Sequence, residues 1–308
     1  MSYKNHFRTI ASFLVTVIMF FLLFKKVPLD QVYLSVKNSD IKLILLIVIV
    51  ALFNGFFVSA LRWKLILKVM GFHLSFKEAF FVKVASDPII GAVPLKIGEI
   101  SRILYLKKFN GIAPENTAFS IFTEYILNIL TLVFFTILGV LVIFIKGLDP
   151  MLGNQPVLAL CSIRLEKFLS GVKWITLFKQ RFLKCFKNEN IFKNKNILFL
   201  SFWFGLLEIA CFFFLAKAIN VDLPFSEVLL CLPIIILLSS SPITFLGLGM
   251  REGIVILLFQ KYASAQNLLA LGILYSFVEH IIPMLIGLGV TSIFINKLLD
   301  KETIKKEI

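Results

Sequence analysis

Long runs of apolar residues, with the charged residues concentrated between them, are the main pattern of this chain. A run of about 20 such residues forms a helix long enough to span the roughly 30 Å hydrocarbon core of a bilayer. Five nearly continuous runs predict spanning helices, at residues 10–24, 41–61, 117–145, 197–219 and 267–295. Arg62 and Trp63 follow the second run, and this pair predicts an anchor at the membrane–water interface.

Two further apolar stretches, 79–106 and 231–260, are interrupted by residues that break helices. Proline removes a backbone donor and glycine weakens a helix. The predicted break positions are Asp87, Pro88, Gly91, Pro94 and Gly98 in the first stretch, and Pro242, Gly247 and Gly249 in the second. Broken backbone at membrane depth survives only where protein or a water-filled cavity satisfies it. A pair of such segments in corresponding halves of a chain points to the binding site of a transporter.

The order of these segments predicts an all-α polytopic membrane protein with about eight membrane elements in two repeat-like halves, each with a broken or re-entrant helix. We expect one transmembrane domain over residues 1–308. Its parts are a first half (about 7–145), a basic amphipathic linker (about 146–196), a second half (about 197–297) and a short tail (298–308). In this comparison of the halves, Glu99 corresponds to Glu252 and Glu124 corresponds to Glu279.

The charge of the linker bears on the topology. Its ten basic and three acidic residues give a net charge of +7, and the positive-inside rule places such a segment in the cytoplasm. If both broken segments entered the membrane and returned, the linker would fall on the outer side. We therefore favour eight elements in a multi-pass protein of the inner (plasma) membrane, with both termini cytoplasmic. Whether the broken segments cross or re-enter stays open at this point.

The composition supports a membrane protein and argues against nucleic-acid binding and metal or cofactor chemistry. Hydrophobic residues make up 59% of the chain and the mean hydropathy is +0.93, well above a soluble domain. Lys and Arg flanking the spans account for the net charge of +14, so we expect no nucleic-acid partner. The four cysteines and three histidines show no metal-ligand spacing, and the chain has no G-x-x-x-x-G-K-[ST] motif. We expect no metal and no cofactor.

Ionisable residues beside the breaks and inside the spans are the candidate functional residues, since charge within a membrane is costly and marks function. The predicted substrate-binding residues are Glu99, Arg102, Glu124, Asn128, Arg251, Glu252 and Glu279. Arginine suits a phosphate because its planar fork donates two parallel hydrogen bonds. A helix that starts after a break adds the positive end of its dipole. The alternative is that the acid and base beside each break only neutralise each other.

These residues also carry a resemblance to a known family. The chain resembles the lysylphosphatidylglycerol synthase transmembrane-region family of flippase-like membrane proteins, over about residues 10–297. The matching motifs are Arg62-Trp63, then Pro94, Gly98-Glu99 and Arg102, and in the second half Pro242, Gly247, Gly249 and Arg251-Glu252. Where the family has Glu-Arg-x-x-Asp, this chain has Glu124 and Asn128 around Tyr125, with one charge of each sign missing.

The resemblance implies a flippase-like transporter that moves a lipid or lipid-linked headgroup between leaflets. Because the chain stops at Ile308, we expect no soluble aminoacyl-transferase domain and no enzymatic activity. The expected partners are membrane lipids with an anionic or zwitterionic headgroup, together with a homo-oligomer or a separately encoded partner enzyme. Two other functions stay open. One is a membrane-embedded transferase acting on a lipid-linked substrate, with Glu99 or Glu252 as the base; the other is a non-catalytic membrane scaffold.

Overall fold

The computed structural model describes residues 21, 23, 29–92, 98–145, 189–240 and 244–300, and the structural statements below concern these residues. They form ten helices and no strand. The helices are α1 (Leu29–Lys37), α2 (Ile41–Val69), α3 (Phe76–Ala92), α4 (Ile100–Asn110), α5 (Pro114–Ile145), α6 (Glu189–Lys193), α7 (Lys195–Ala218), α8 (Phe225–Ser239), α9 (Met250–Phe259) and α10 (Ala265–Leu299). The predicted all-α polytopic class is confirmed. Most of the predicted first span, most of the linker and most of the tail lie outside the described residues.

Four of these helices, α2, α5, α7 and α10, are long and apolar enough to span a membrane. Asp40 and Asn194 precede α2 and α7, and their side chains accept hydrogen bonds from the first backbone N–H groups, which caps both helices. One turn of π-helix interrupts α2 at Phe53–Val58 and α10 at Phe277–Ile281. Such turns often occur at functional sites, and the second one contains two ionisable residues of the site described below.

The first broken stretch enters the bundle as α3 and returns as α4. Asn110, the last residue of α4, donates a hydrogen bond from Nδ2 to Oε1 of Glu78 in the first turn of α3, at 3.1 Å. Because its two ends meet, the stretch is a re-entrant hairpin. Near its tip, the backbone segments before and after the break approach each other closely. A Cβ on Gly98 would lie 2.4 Å from Cα of Ile90. Only glycine fits at this crossing.

The break in this hairpin lies between Ala92 and Ile100, in the later part of the predicted region, which includes Gly98. Three of the predicted positions lie inside the continuous helix α3 and a fourth lies outside the described residues; these are Asp87, Pro88, Gly91 and Pro94. The helix continues through Pro88 because α10 covers the disturbed backbone. Thr291 Oγ1 lies 2.9 Å from the carbonyl oxygen of Ala85, to which it donates. A Cβ on Gly287 would lie 2.7 Å from Cδ of Pro88, so this glycine lets the two helices approach.

The second broken stretch forms a matching hairpin from α8 and α9. Tyr262, just after α9, donates its hydroxyl proton to Oε1 of Glu227 in the first turn of α8, at 3.1 Å. Burial, together with the neighbouring Glu227, raises the pKa of Tyr262 to about 12, so the phenol keeps this proton at neutral pH. At the tip the backbone turns through positive φ at Gly247 and Gly249, which glycine permits. Pro242 lies outside the described residues.

The two hairpins open on opposite faces of the bundle. At one end, Ile66 of α2 packs with Ile191 and Ile197, and Lys108 at the end of α4 donates to the carbonyl oxygen of Lys297 at 2.9 Å. We call this end the basic face, after Lys64, Lys68, Lys107, Lys108, Lys193, Lys195 and Lys297. At the other end, the opposite face, the backbone N–H of Asp40 donates to the carbonyl of Ala218 at 2.8 Å. The first hairpin opens on the basic face, and the second, which follows Ala218, opens on the opposite face.

The two halves therefore form an inverted repeat. Helix α3 of the first half packs against α10 of the second, and α8 packs against α5 in the same way. Equivalent residues recur at one constant separation along the chain: Phe76 and Phe225, Glu78 and Glu227, Gly98 and Gly247, and Arg102 and Arg251. This register corrects the expected alignment. Arg102 is the equivalent of Arg251, and Glu99 pairs with Leu248 instead of Glu252.

The hairpins show that both broken segments are re-entrant: each enters the bundle from one face and returns to the same face. The described ends of the linker lie at different faces. Gly139, near the end of α5, lies against Leu230 of α8 towards the opposite face, since a Cβ on this glycine would be 2.6 Å from the backbone N of Leu230, whereas Ile191 packs with Ile66 at the basic face. The described chain therefore leaves α5 at the opposite face and resumes at residues 189–195 at the basic face.

Candidate functional site

Five ionisable side chains from four helices surround the first hairpin, and we call them the first charge cluster. They are Arg62 of α2, Lys83 of α3, Glu99 and Arg102 at the start of α4, and Glu124 of α5. Lys83 Nζ lies 2.8 Å from each carboxylate oxygen of Glu124. Arg102 Nη1 lies 3.1 Å from Glu99 and 3.6 Å from Glu124, and Arg62 Nη2 lies 3.8 Å from Glu124. Three buried cations therefore surround one buried carboxylate.

Neutral side chains complete this cluster at the two positions where the family motif is altered. Tyr125 donates its hydroxyl proton to Oε1 of Glu99 at 2.7 Å. Asn128 accepts a hydrogen bond from Nη1 of Arg62 through Oδ1, also at 2.7 Å. The family motif has a cation at position 125, which this chain lacks, and Lys83 reaches Glu124 from a different helix instead. Glu124 is thus salt-bridged in this chain, although by a partner that is distant in sequence.

Arg62 and Trp63 do not form the predicted interface anchor. Their side chains are almost completely buried, with 2% and 0% of each residue exposed. Trp63 Nε1 donates to Oγ of Ser120 at 3.0 Å, and the indole ring faces the guanidinium of Arg102 at 5.7 Å. The reason is the length of α2, which continues to Val69 and so places the pair inside the bundle. The indole lines the first charge cluster.

A second charge cluster lies at the tip of the second hairpin. Its members are Glu208 of α7, Arg251 and Glu252 of α9, and Glu279 and His280 of α10. Arg251 Nη1 donates to Oγ of Ser276 at 2.9 Å, and Nη2 lies 3.0 Å from Nε2 of His280. Glu252 accepts from the Ser276 hydroxyl at 2.6 Å and from the backbone N–H of Gly249 at 2.5 Å, which caps α9. This cluster is built mainly from hydrogen bonds to neutral groups.

Glu208 connects the two clusters. Its carboxyl interacts electrostatically with Arg62 of the first cluster and with Arg251 of the second. The hairpin tips also touch, since a Cβ on Gly91 of α3 would lie 3.5 Å from Cδ2 of Leu246 in the turn before α9. The clusters therefore lie side by side inside the bundle, where the hairpins from the two faces meet.

The structure groups the predicted substrate-binding residues in two sets. Glu99, Arg102, Glu124 and Asn128 lie in or against the first cluster, and Arg251, Glu252 and Glu279 lie in the second. The predicted set did not include Lys83, Glu208 or His280. Each of them is an ionisable residue inside an apolar stretch, which is the signal that could have identified it. Within the described ranges, no three His, Cys, Asp or Glu side chains are placed to hold a metal ion.

The fold and the two clusters define a class of protein: a polytopic helical membrane protein built from an inverted repeat, with buried charge where two re-entrant hairpins meet. The family model of the lysylphosphatidylglycerol synthase TM region matches residues 9–287, and the chain belongs to this family. The chain is also similar to the UPF0104 membrane protein MJ1595 of Methanocaldococcus jannaschii. The two are 24% identical over 313 residues, which cover 90% of this chain and 91% of that protein. The resemblance seen in the motifs is confirmed.

Proposed function

We propose that this protein moves a lipid with an anionic or zwitterionic headgroup between the two leaflets of the membrane and leaves it chemically unchanged. One observation carries the proposal. Arg102 and Arg251 occupy equivalent positions in the first turns of two half-helices that enter from opposite faces, and each is at least nine-tenths buried. In transporters built from inverted repeats, such half-helix N-termini stabilise anionic substrate groups near the midplane.

The chemistry of these arginines favours a phosphate as the recognised group. A guanidinium donates two parallel hydrogen bonds to a phosphate, and a phosphate that replaces a carboxylate partner keeps the buried cation neutralised. At the first tip the headgroup would take the place of Glu99 or Glu124 on Arg102. The acyl chains would stay in the lipid, along exposed apolar side chains such as Ile49 and Leu285.

We also propose that the basic face is cytoplasmic. The excess of lysines over acids is larger at this face than at the opposite face, which carries Asp30, Asp40 and Asp222 beside Lys37, Lys42, Lys217 and Lys261. An excess of Lys and Arg in short loops is typical of the cytoplasmic side. Asp300, at the end of the described chain, lies at the basic face beside Lys108.

A lipid-exchange assay tests the function. The purified protein is placed in vesicles that contain fluorescent phosphatidylglycerol, and a membrane-impermeant reductant bleaches the outer leaflet. Wild-type protein is expected to make inner-leaflet label accessible. Arg102→Gln and Arg251→Gln are each expected to slow this exchange by about tenfold or more, since a hydrogen bond to a charged group is worth about 1.5–3 kcal/mol. Lys217→Gln removes an exposed cation at the opposite face and serves as the matched control.

The same assay separates the alternatives. Label that becomes accessible no faster than in protein-free vesicles would contradict the proposal. A chemically altered lipid, found by mass spectrometry of the recovered vesicles, would support the transferase. Arginine variants that fold and exchange lipid like the wild type would show that the hairpin tips do not bind the headgroup.

A further inference from the structure

The second charge cluster contains more acid than base, and its hydrogen bonds show which groups are charged. A guanidinium has only donors, so in the 3.0 Å contact with Arg251 the Nε2 atom of His280 must accept. The proton of a neutral imidazole then lies on Nδ1, and His280 carries no charge. Arg251 is therefore the one full positive charge among the five members of the cluster.

Three carboxyl groups face this single cation. Glu252 is fully engaged, because both of its oxygens accept hydrogen bonds from the Ser276 hydroxyl and the Gly249 backbone. Glu208 accepts one hydrogen bond, from the hydroxyl of Tyr275 at 3.2 Å. In contrast, Oε1 of Glu279 is buried and accepts no hydrogen bond from any residue that the structure describes. Since a buried carboxylate oxygen needs donors, the Glu279 carboxyl lacks a donor that something must supply.

Glu208 and Glu279 are neighbours across the interface of α7 and α10. Each interacts electrostatically with the other and with Arg251, and both interact with the thiol of Cys211. Two ionised carboxylates side by side in a low-dielectric site repel each other, and burying the unpaired charge is costly. The titratable or charged groups around the pair are Arg62, Cys211, Arg251, Glu252, Tyr275 and His280. These supply two cations, and Arg62 is already bonded in the first cluster.

We propose that Glu208 and Glu279 bind one proton between them, and that lipid movement is coupled to this proton. The proton supplies the missing donor at Glu279 and removes one negative charge. When an anionic headgroup reaches Arg251, that cation no longer offsets the carboxylates, so binding of the anion favours binding of a proton. Headgroup and proton then move in the same direction. The coupling rests on the proposed function, whereas the proton site itself does not.

Infrared spectroscopy of the purified wild-type protein tests the proton site without any transport. A protonated carboxyl absorbs at a frequency distinct from that of a carboxylate. We expect such a band at neutral pH, and we expect both Glu208→Gln and Glu279→Gln to lose it, because each leaves only one carboxyl of the pair, and the repulsion that favours the proton is then gone. Glu227→Gln removes a buried carboxyl at the base of the same hairpin and should keep the band. A band that persists in both site variants would overturn the shared proton.

A pH gradient across the vesicles described above tests the coupling. With one proton per lipid, a difference of one pH unit should concentrate the label about tenfold in the leaflet that faces the alkaline side. Glu279→Gln should lose this response, and Glu227→Gln should keep it. Equal distribution of label by a wild-type protein that exchanges rapidly would overturn the coupling, as would an equal response to a sodium gradient at fixed pH. Absence of exchange at any pH would overturn the proposed function and the coupling, while the infrared result would still decide the proton site.

Discussion

The two hairpin tips carry equivalent arginines in different surroundings. Arg102 lies among carboxylates, 3.1 Å from Glu99 and 3.6 Å from Glu124, within a network that also includes two other cations. Arg251 donates instead to neutral groups, the hydroxyl of Ser276 and the imidazole of His280. The inverted repeat thus preserves the backbone of the hairpin and the position of the arginine, but it changes what neutralises the charge.

This difference indicates separate roles for the two tips. The first cluster pairs its charges directly, which holds α2, α3, α4 and α5 together at the centre of the bundle. In the second cluster, no described residue donates a hydrogen bond to Oε1 of Glu279, so the charge state of this carboxyl is able to change without breaking an ion pair. The charges of the first tip are therefore neutralised by ion pairs, whereas the proposed proton site lies at the second tip.

The prediction with the largest expected effect concerns the side of the membrane on which each hairpin opens. In a background without native cysteines, Lys107→Cys and Lys261→Cys each place an exposed thiol where a hairpin returns to its face. Because the hairpins open on opposite faces, a membrane-impermeant maleimide should label each thiol from one side only, and the two sides should differ. Labelling in intact cells and in inverted vesicles measures this. Lys68→Cys, at the basic face, should follow Lys107→Cys, and labelling of both hairpin thiols from one side would refute the inverted repeat.

The next prediction concerns the free energy of unfolding, which should fall more when a carboxylate of the first cluster is removed than when one of the second cluster is removed. Glu124→Gln leaves Lys83 and Arg62 buried without their carboxylate, and removing one partner of a buried pair costs about 3–5 kcal/mol. Glu279→Gln resembles the protonated carboxyl, so its cost should stay below about 1 kcal/mol. Unfolding in detergent, followed by the protection of buried thiols, measures both. If Glu279→Gln proves as destabilising as Glu124→Gln, the second cluster is an ionised structural network and the contrast fails.

The sequence predicted the membrane class and both broken segments, because long apolar runs and clustered prolines and glycines are local signals. It also predicted a break at Pro88, where the helix continues, since Pro88 becomes harmless only when α10 packs against it. That contact is not visible in α3 alone. The alignment of the halves was also shifted, because Gly-Glu and Arg-Glu look alike as motifs while the register of the hairpin crossing pairs Arg102 with Arg251.

The site was also predicted only in part, because contacts between distant parts of the chain decide which residues belong to it. Arg62 and Trp63 have the pattern of an interface anchor, and only the continuation of α2 to Val69 shows that they are buried. Lys83 was not among the predicted residues because it belongs to none of the motifs in the sequence. Its importance comes from Glu124, far away in sequence, and partners that are distant along the chain cannot be read from the spacing of one motif.

The smallest predicted effect concerns the crossing point of each hairpin. Gly98→Ala would place a Cβ 2.4 Å from Cα of Ile90, and backbone atoms cannot move aside as a side chain could. Such overpacking costs about 1–3 kcal/mol. Gly247→Ala should cost at least as much, because its Cβ would lie 2.7 Å from the carbonyl oxygen of Ser239 and its φ is +75°.

Gly253→Ala is the matched control for these two variants. This glycine lies in α9, where a Cβ would meet nothing within 4 Å, so alanine should stabilise the helix by about 0.5–1 kcal/mol. The unfolding measurement used for Glu124→Gln compares all three. A Gly98→Ala protein as stable as Gly253→Ala would mean that the chain does not cross itself at this tip. The equivalence of the two hairpins, on which the pairing of Arg102 with Arg251 depends, would then be lost.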